Sequence, residues 1–316
     1  MYTDNYSLLR ILTAKNIGNT KAYNLVQKIK SNDYNLNELI KDIDNNVKIL
    51  ILNETLTKNI KETKEIVDKY YNLLQERNII ILNRFSPEYP TKIISKLQDK
   101  APLLLFCKGN TELLNEPSIG FCGSREATEK GLNTVQEIIN FIGDKAIYVS
   151  GYAKGVDLKV HSHALQNNYK TIIVLPEGIL NFKLKKEVKN LINWDNTLVI
   201  SEFLPNSIWS VGNAMQRNST IISLSKAMVL IEAKEHGGSY NAGLKSLELS
   251  IPLYAPRYNE DNESNKGNLI LARNGAKAFG INKNTKKPAL EPLIDCLQSP
   301  LNNFNTAEQQ KLFGMA

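Results

Sequence analysis

Two rhythms of apolar residues divide the chain. In "YSLLRILTAKNIGNTKAYNLVQKI" the spacing is helical: Leu8, Leu9, Ile11 and Leu12, then Ala22, Leu25, Val26 and Ile29, recur at three and four residues, and Gly18 separates two helices. "TKNIKETKEIVDKYYNLLQERN" reads as one more helical segment, with Ile60, Ile66, Val67, Tyr70, Leu73 and Leu74 on one side. From "IIILNRFSPEYP" onward the rhythm changes to short apolar runs separated by helices: "PLLLFCKG", "SIGFCG", "AIYVSG", "TIIVLPEG", "TLVISEF", "AMVLIEA" and "IPLYAP". Runs rich in Ile, Val and Leu without polar alternation are strands buried on both faces. Their alternation with helices predicts an α/β fold around a doubly wound, mostly parallel sheet. After about Pro288 the periodicity fades, although "PLIDCLQS" predicts one short helix. The expected organisation is a small N-terminal helical domain over 1–78, an α/β domain over 79–287 and a short C-terminal tail over 288–316.

Composition changes this picture little. The 316 residues are 42% hydrophobic, enough to fill two or three compact cores. The opening "MYTDNYSLLRILTAKN" lacks the apolar stretch of a signal peptide and no run reaches bilayer length, so a cytoplasmic protein away from membranes is expected. Cys107, Cys122 and Cys296 are odd in number and widely spaced, which argues against a disulfide framework or a zinc site. A net charge of +7 is compatible with a polyanionic partner, though Lys-rich, Asn-rich chains reach such values without one.

The chemistry is expected where strands end. In an open α/β sheet, ligands gather at the carboxyl ends of the strands, and three of these ends offer glycine or short polar groups. "IGFCGSREATEKG" supplies Gly123, Ser124 and Arg125; "IYVSGYAKGVD" supplies Ser150, Gly151, Lys154, Gly155 and Asp157; "VLIEAKEHGGSYNAGL" supplies Glu232, Gly237, Gly238 and Ser239. Glycine lets backbone approach a ligand, and the free amides at a helix start favour an anion, so these turns are candidates for a phosphate-binding rim. Other readings stay open. Arg125 can brace a turn, Gly237 and Gly238 can let a helix pack closely, and Asp157 and Glu202 can be either catalytic carboxylates or acceptors for backbone amides. His161 and His163, two apart on a helix, point in different directions, and no third ligand completes a metal site. The Gly-x-Ser-x-Gly spacing of a hydrolase elbow is absent from "GYAKG" and "GFCGS".

In order along the chain, "GSREATEKGL", "VSGYAKGVDLKVHSHAL", "KTIIVLPEGI", "ISEF", "QRNSTIISLSKAMVLIEA" and "NLILARNGA" closely resemble the DNA-processing protein A family, DprA, also called Smf. The likeness spans about residues 79 to 281, and "NIGNTKAYNLVQKI" resembles the helical N-terminal module, of SAM or helix-hairpin-helix type, common in that family. The resemblance implies an extended Rossmann-like domain that binds single-stranded DNA and, as a homodimer, helps load the recombinase RecA during natural transformation, hence a role in competence. It implies a binding protein with no cofactor, not an enzyme. Position by position, Gly123, Ser124 and Arg125 match the family's Gly-Thr-Arg turn, and Ser150 to Asp157 match its Ser-Gly block with Lys154 in place of Arg. Gln216, Arg217, Asn218 and Ser219 stand where the family has Arg-Arg-Asn-Arg, and Pro176, Glu177 and Gly178 where it has Gly-Cys-Gly. Glu177 thus joins Asp157, Glu202 and Glu232 as an expected crevice carboxylate and makes the rim less positive. A sensor that binds a nucleotide is the alternative this carboxylate favours. A nucleotide phosphoribohydrolase is another, because "HGGSYNAGLKSLE" is similar to the loop of the "lonely guy" enzymes without its third Gly and its Thr.

Overall fold

A computed structural model describes residues 3–258, 262–285 and 287–298, so the tail from residue 299 lies outside the described residues. Two compact units divide the chain: Met1–Lys108 with Glu177–Phe182 and Ser201–Ile208, and Gly109–Pro176 with Lys183–Ile200 and the residues from Trp209 onward.

The first unit begins with five helices, α1 (Asp4–Thr13), α2 (Asn19–Ser31), α3 (Leu36–Asp44), α4 (Glu54–Lys61) and α5 (Lys64–Glu76). The Thr3 hydroxyl caps α1 by accepting from the Tyr6 amide, and Gly18 stands at the N-cap of α2. The single helical segment expected over 57–78 is two helices, and the break has a visible cause. Arg10 of α1 is fully buried, where its guanidinium pairs with Asp44 at 2.9 Å and donates to the carbonyl of Ile60 at 3.0 Å and to the Thr63 hydroxyl at 2.8 Å. Thr63 in turn donates to the Ile60 carbonyl at 2.7 Å. Groups at the end of α4 are thereby satisfied by side chains, and the chain turns after Lys61 without leaving buried carbonyls orphaned. Ile60, Val67 and Leu74 are buried, whereas Ile66, expected on the same side, is 43% exposed. Helix α3 was not expected from the sequence. Its buried Leu36, Leu39, Ile40 and Ile43 keep helical spacing, and the Asn35 side chain accepts from the amides of Asn37 and Glu38. An antiparallel pair, β1 (Ile80–Asn83) against β2 (Leu104–Gly109) with Ile80 opposite Cys107, follows, with α6 (Thr91–Leu97) between the strands.

The second unit is the parallel sheet. Its elements in chain order are β3 (Ser118–Cys122), α7 (Glu129–Ile142), β4 (Ile147–Ser150), α8 (Val156–Gln166), β5 (Thr171–Val174), α9 (Lys186–Lys189) and β6 (Thr197–Ser201). They continue with α10 (Val211–Leu224), β7 (Ala227–Leu230), α11 (Gly238–Glu248), β8 (Leu253–Pro256), α12 (Lys266–Arg273), β9 (Lys277–Phe279) and α13 (Glu291–Gln298). The spatial order is β6-β5-β4-β3-β7-β8-β9, and every adjacent pair is parallel. All residues of β3 to β8 are buried, as the unbroken apolar runs require. Ile119 and Phe121 of β3 join Val135, Ile138 and Ile139 of α7, Val160 of α8 and Leu293 and Leu297 of α13 in one core. Strand β9 was not expected: it has three residues, and its first two are exposed.

The order of the strands locates a ligand site. The chain winds outward from β3 through β4 and β5 to β6, then returns to the other side of β3 and winds through β7, β8 and β9. Connections therefore leave β3 and β7 in opposite senses, which opens a crevice at their carboxyl ends.

Candidate functional site

A cleft of about 370 Å³ occupies that crevice. Its floor is the carboxyl end of β3 with Gly123 and Ser124, and its walls are α10 and the start of α11.

Two glycines shape the floor. A methyl group on Gly123 would lie 2.5 Å from the Val156 side chain. One on Gly155, whose φ is +75°, would lie 2.3 Å from the Ser124 carbonyl oxygen. The turns after β3 and β4 therefore pack backbone against backbone, and the Val156 amide donates to the Ser124 carbonyl at 3.2 Å. The Ser124 hydroxyl accepts from the Glu126 amide at 3.0 Å, which turns the chain and leaves Arg125 exposed at the mouth. Its guanidinium carbon lies 5.7 Å from the ring centroid of Trp209, itself 45% exposed. Val211 and Met215 of α10 extend this exposed apolar shelf along the same cleft.

Across the cleft, α11 begins at Gly238 with no side-chain cap, and a methyl group on Gly237 or Gly238 would meet nothing within 4 Å. Close packing is thus not what these glycines provide. Gly237 supplies a φ of +114°, and the first turn of the helix is left open to an incoming group. Gly238 and Ser239 line the cleft, with Lys234 and His236 beside them.

Polar groups below the floor are committed to structure. Ser150, fully buried, donates to the Phe121 carbonyl at 2.9 Å and lies 3.0 Å from Asp157 Oδ1. Asp157 also accepts from the Ala153 amide and lies 4.0 Å from an Arg217 guanidinium nitrogen. A methyl group on Gly151 would fall 1.9 Å from that nitrogen, so glycine is what allows Arg217 to lie flat across the β4 turn. Arg217, expected on the rim, is only 5% exposed. Glu232 is 2% exposed. Its two oxygens accept from the Thr128 hydroxyl at 2.5 Å and the Thr128 amide at 2.9 Å, while the same hydroxyl accepts from the Gly131 amide and caps α7.

The two histidines are bonded into the helical layer. His161 is fully buried, and burial lowers its pKa to about 4. Its Nε2 faces the Gly151 carbonyl oxygen at 2.6 Å, which can only accept, so the neutral ring carries its hydrogen there and presents Nδ1 to the Thr171 hydroxyl at 2.7 Å. His163 Nε2 lies 2.8 Å from the Asn140 side-chain oxygen. Among the described residues no group of three His, Cys, Asp or Glu side chains is placed to hold a metal ion.

The fold and the cleft agree with a family match. Residues 80–288 match the model of DNA recombination-mediator protein A. The chain belongs to that family. The DNA processing protein DprA of Streptococcus pneumoniae is 35% identical over 164 residues, an alignment covering 51% of this chain and 57% of that one, so it spans little more than half the length of that relative. The solved structure of the S. pneumoniae protein superposes with a TM-score of 0.72 at 26% identity, covering 88% of this chain and 95% of that chain. DNA processing protein A of Helicobacter pylori, whose structure concerns its single-stranded DNA binding mode, superposes with a TM-score of 0.54 at 25% identity over 63% of this chain and 90% of that chain.

Of the residues picked out in the DprA-like turns, the cleft lining brings together Gly123, Ser124, Arg125, Arg217, Asn218, Gly238 and Ser239, with Asp157 and Glu232 at its base. Ser150, Gly151 and Gly155 act from beneath as packing and hydrogen-bonding groups. Lys154 is exposed and does not line the cleft. Glu177 and Glu202 belong to the first unit and are not lining residues, so the second unit gathers two of the four expected carboxylates. The sequence reading missed Trp209, Val211, Met215, Lys234 and His236. Trp209 was the legible one: an aromatic side chain just before the capping Ser210, at a helix start beside the crevice, is a candidate contact residue by position.

Proposed function

We propose that this cleft binds single-stranded DNA, with phosphates held at Arg125 and the open start of α11 and bases laid on the shelf of Trp209, Val211 and Met215. The observation that carries the reading is the pairing, in one cleft, of an uncapped helix start with an exposed aromatic ring beside an exposed arginine. Anions are favoured at the helix start, and base stacking on an aromatic is sequence-tolerant because every base has a π-face. Duplex DNA buries those faces, so single strands are preferred. The single-stranded DNA binding mode reported for the H. pylori relative supports the same choice.

The protein acts as a binding module and turns nothing over, because Asp157 and Glu232 are occupied by the hydrogen bonds that build the turns. Family membership supports the wider role: a cytoplasmic recombination mediator that works as a homodimer, hands the strand to RecA and serves natural transformation. The test is anisotropy of a labelled oligothymidine with parent, Arg125→Glu and Trp209→Ala proteins. Trp209→Ala is expected to bind about 5- to 150-fold more weakly, since one stacked base contributes about 1–3 kcal/mol, and Arg125→Glu is expected to bind more weakly through the lost phosphate contact. Equal binding by the parent and both variants, or a parent preference for duplex, overturns the assignment. Light scattering that shows only monomer at high concentration overturns the dimer.

A further inference from the structure

A second cleft, of about 270 Å³, opens at the carboxyl end of β8, between that strand and α12. Arg257, the residue after the strand, and Arg273, at the end of the helix, both line it and both are exposed. Neither is engaged by a carboxylate among the described residues. Ion pairs among the described residues use other side chains, for example Lys266 with Glu263 and Lys245 with Glu248. The lining also includes the apolar residues Pro256, Leu269 and Ala272.

The wall of this cleft is rigid and is shared with the first one. The Tyr258 phenol donates to the Ile231 carbonyl at 2.9 Å. The Asn268 side chain donates to the same carbonyl at 2.8 Å and accepts from the Ala233 amide at 2.9 Å. Ala233 lines the first cleft while Tyr258 and Asn268 line the second, so one segment of backbone, 231–233, separates them. Lys130 lies 5.4 Å from the Tyr258 ring centroid. Neighbouring strands are about 4.8 Å apart, so ligand groups at the ends of β7 and β8 are within reach of a few nucleotides of one strand.

We propose that Arg257 and Arg273 form a second anion site that grips one phosphate group, and that a strand leaving the first cleft continues into it. Two planar guanidiniums lining one cleft can offer a tetrahedral anion the charge-assisted, multidentate contacts for which arginine is suited. The continuation of the strand rests on the single-strand reading of the first cleft, whereas the anion site itself does not.

The experiment has two arms and uses the Arg257→Gln/Arg273→Gln double variant, whose exposed positions leave the fold intact. Inorganic phosphate is titrated into the parent while the arginine side-chain N–H signals are followed by NMR, assigned from the single variants. Saturable movement of both signals is expected, and its absence overturns the site. In the second arm, oligothymidines of about 4 and about 12 nucleotides are bound to parent and double variant over a range of salt. The longer strand is expected to lose at least about tenfold in affinity in the variant. Its salt slope should fall by about 0.7, the value for one phosphate contact on a single strand, while the shorter strand is unchanged. If phosphate moves both signals but the longer strand binds both proteins alike, the site takes a free phosphate compound and the continuation of the strand is overturned. If the parent binds no strand of either length, the first-cleft reading fails and the phosphate arm alone decides the second site.

Discussion

Replacing Thr128 by Ala tests how the floor of the first cleft is held. The Thr128 hydroxyl makes two bonds: it donates to the buried Glu232 carboxylate at 2.5 Å and accepts from the Gly131 amide at 3.1 Å as the cap of α7. Losing an N-cap side chain costs about 1 kcal/mol. A bond to a charged group contributes about 1.5–3 kcal/mol, and the low end applies because Thr128 is itself exposed and water can replace its hydroxyl. The backbone bond from Thr128 to Glu232 survives the substitution. The expected destabilisation is therefore about 2.5 kcal/mol, with Thr128→Ser within about 0.5 kcal/mol of the parent. Urea denaturation with a constant m-value is the assay.

A second substitution isolates Glu232. Gly131 lies inside the first turn of α7, where Ala is ordinarily better by up to about 1 kcal/mol. Here its methyl group would stand 2.8 Å from the carboxylate carbon of Glu232, a side chain pinned by two bonds and so unable to yield. Gly131→Ala should destabilise the parent but stabilise the Glu232→Ala protein. Additive behaviour in that cycle, or a Thr128→Ala cost under about 0.5 kcal/mol, refutes the clamp.

Three further outcomes follow from the same geometry. Lys154→Glu should leave strand affinity within about threefold of the parent, in contrast to Arg125→Glu, because Lys154 stands outside the cleft; a loss equal to that of Arg125→Glu would move the site. His161, neutral by burial with its pKa lowered to about 4, binds a proton more readily when unfolded. Its contribution is thus complete above the unfolded value of about 6.5 and is lost as pH falls towards 4, on the order of 3 kcal/mol, and an NMR titration of its ring near 6.5 in the folded protein would contradict this. Burial pushes the thiols of Cys107 and Cys122 well above their ordinary range, so a thiol reagent should label neither in the native protein and both after denaturation.

The apolar runs that became β3 to β8 were legible because burial on both faces leaves no other pattern for a short strand. Strand β9 escaped because two of its three residues face outward and its pairing comes from β8 rather than from its own composition. The break between α4 and α5 was illegible for a similar reason. It depends on Arg10, some fifty residues earlier, whose buried guanidinium reaches Ile60 and Thr63. In the cleft, Gly123, Arg125 and Gly238 were readable from their place after a strand, since position along the sheet decides what lines a crevice. Side-chain placement was not readable: Arg217 and Lys154 both follow the family's cationic positions, yet one lies over Gly151 near Asp157 and the other is exposed and not among the lining residues of the cleft.

The fate of Arg217 bears on how the family's charge pattern can thin out here without dissolving the site. A cation that lies 4.0 Å from Asp157 and across a glycine turn helps to fix the β4 loop, and its charge is partly offset before any ligand arrives. The neighbouring positions Gln216 and Ser219 are not lining residues of the first cleft, so the cations the family carries there would add field more than contact. The exposed lining then offers Arg125, Lys234, His236, the amides that open α11 and an apolar shelf. On the proposed reading, binding in such a cleft would divide between one or two phosphate contacts and the stacking of bases. Affinity should then respond less to salt than to loss of Trp209, and a lone arginine held beside a ring, rather than a rim of charge, is what Arg125 contributes.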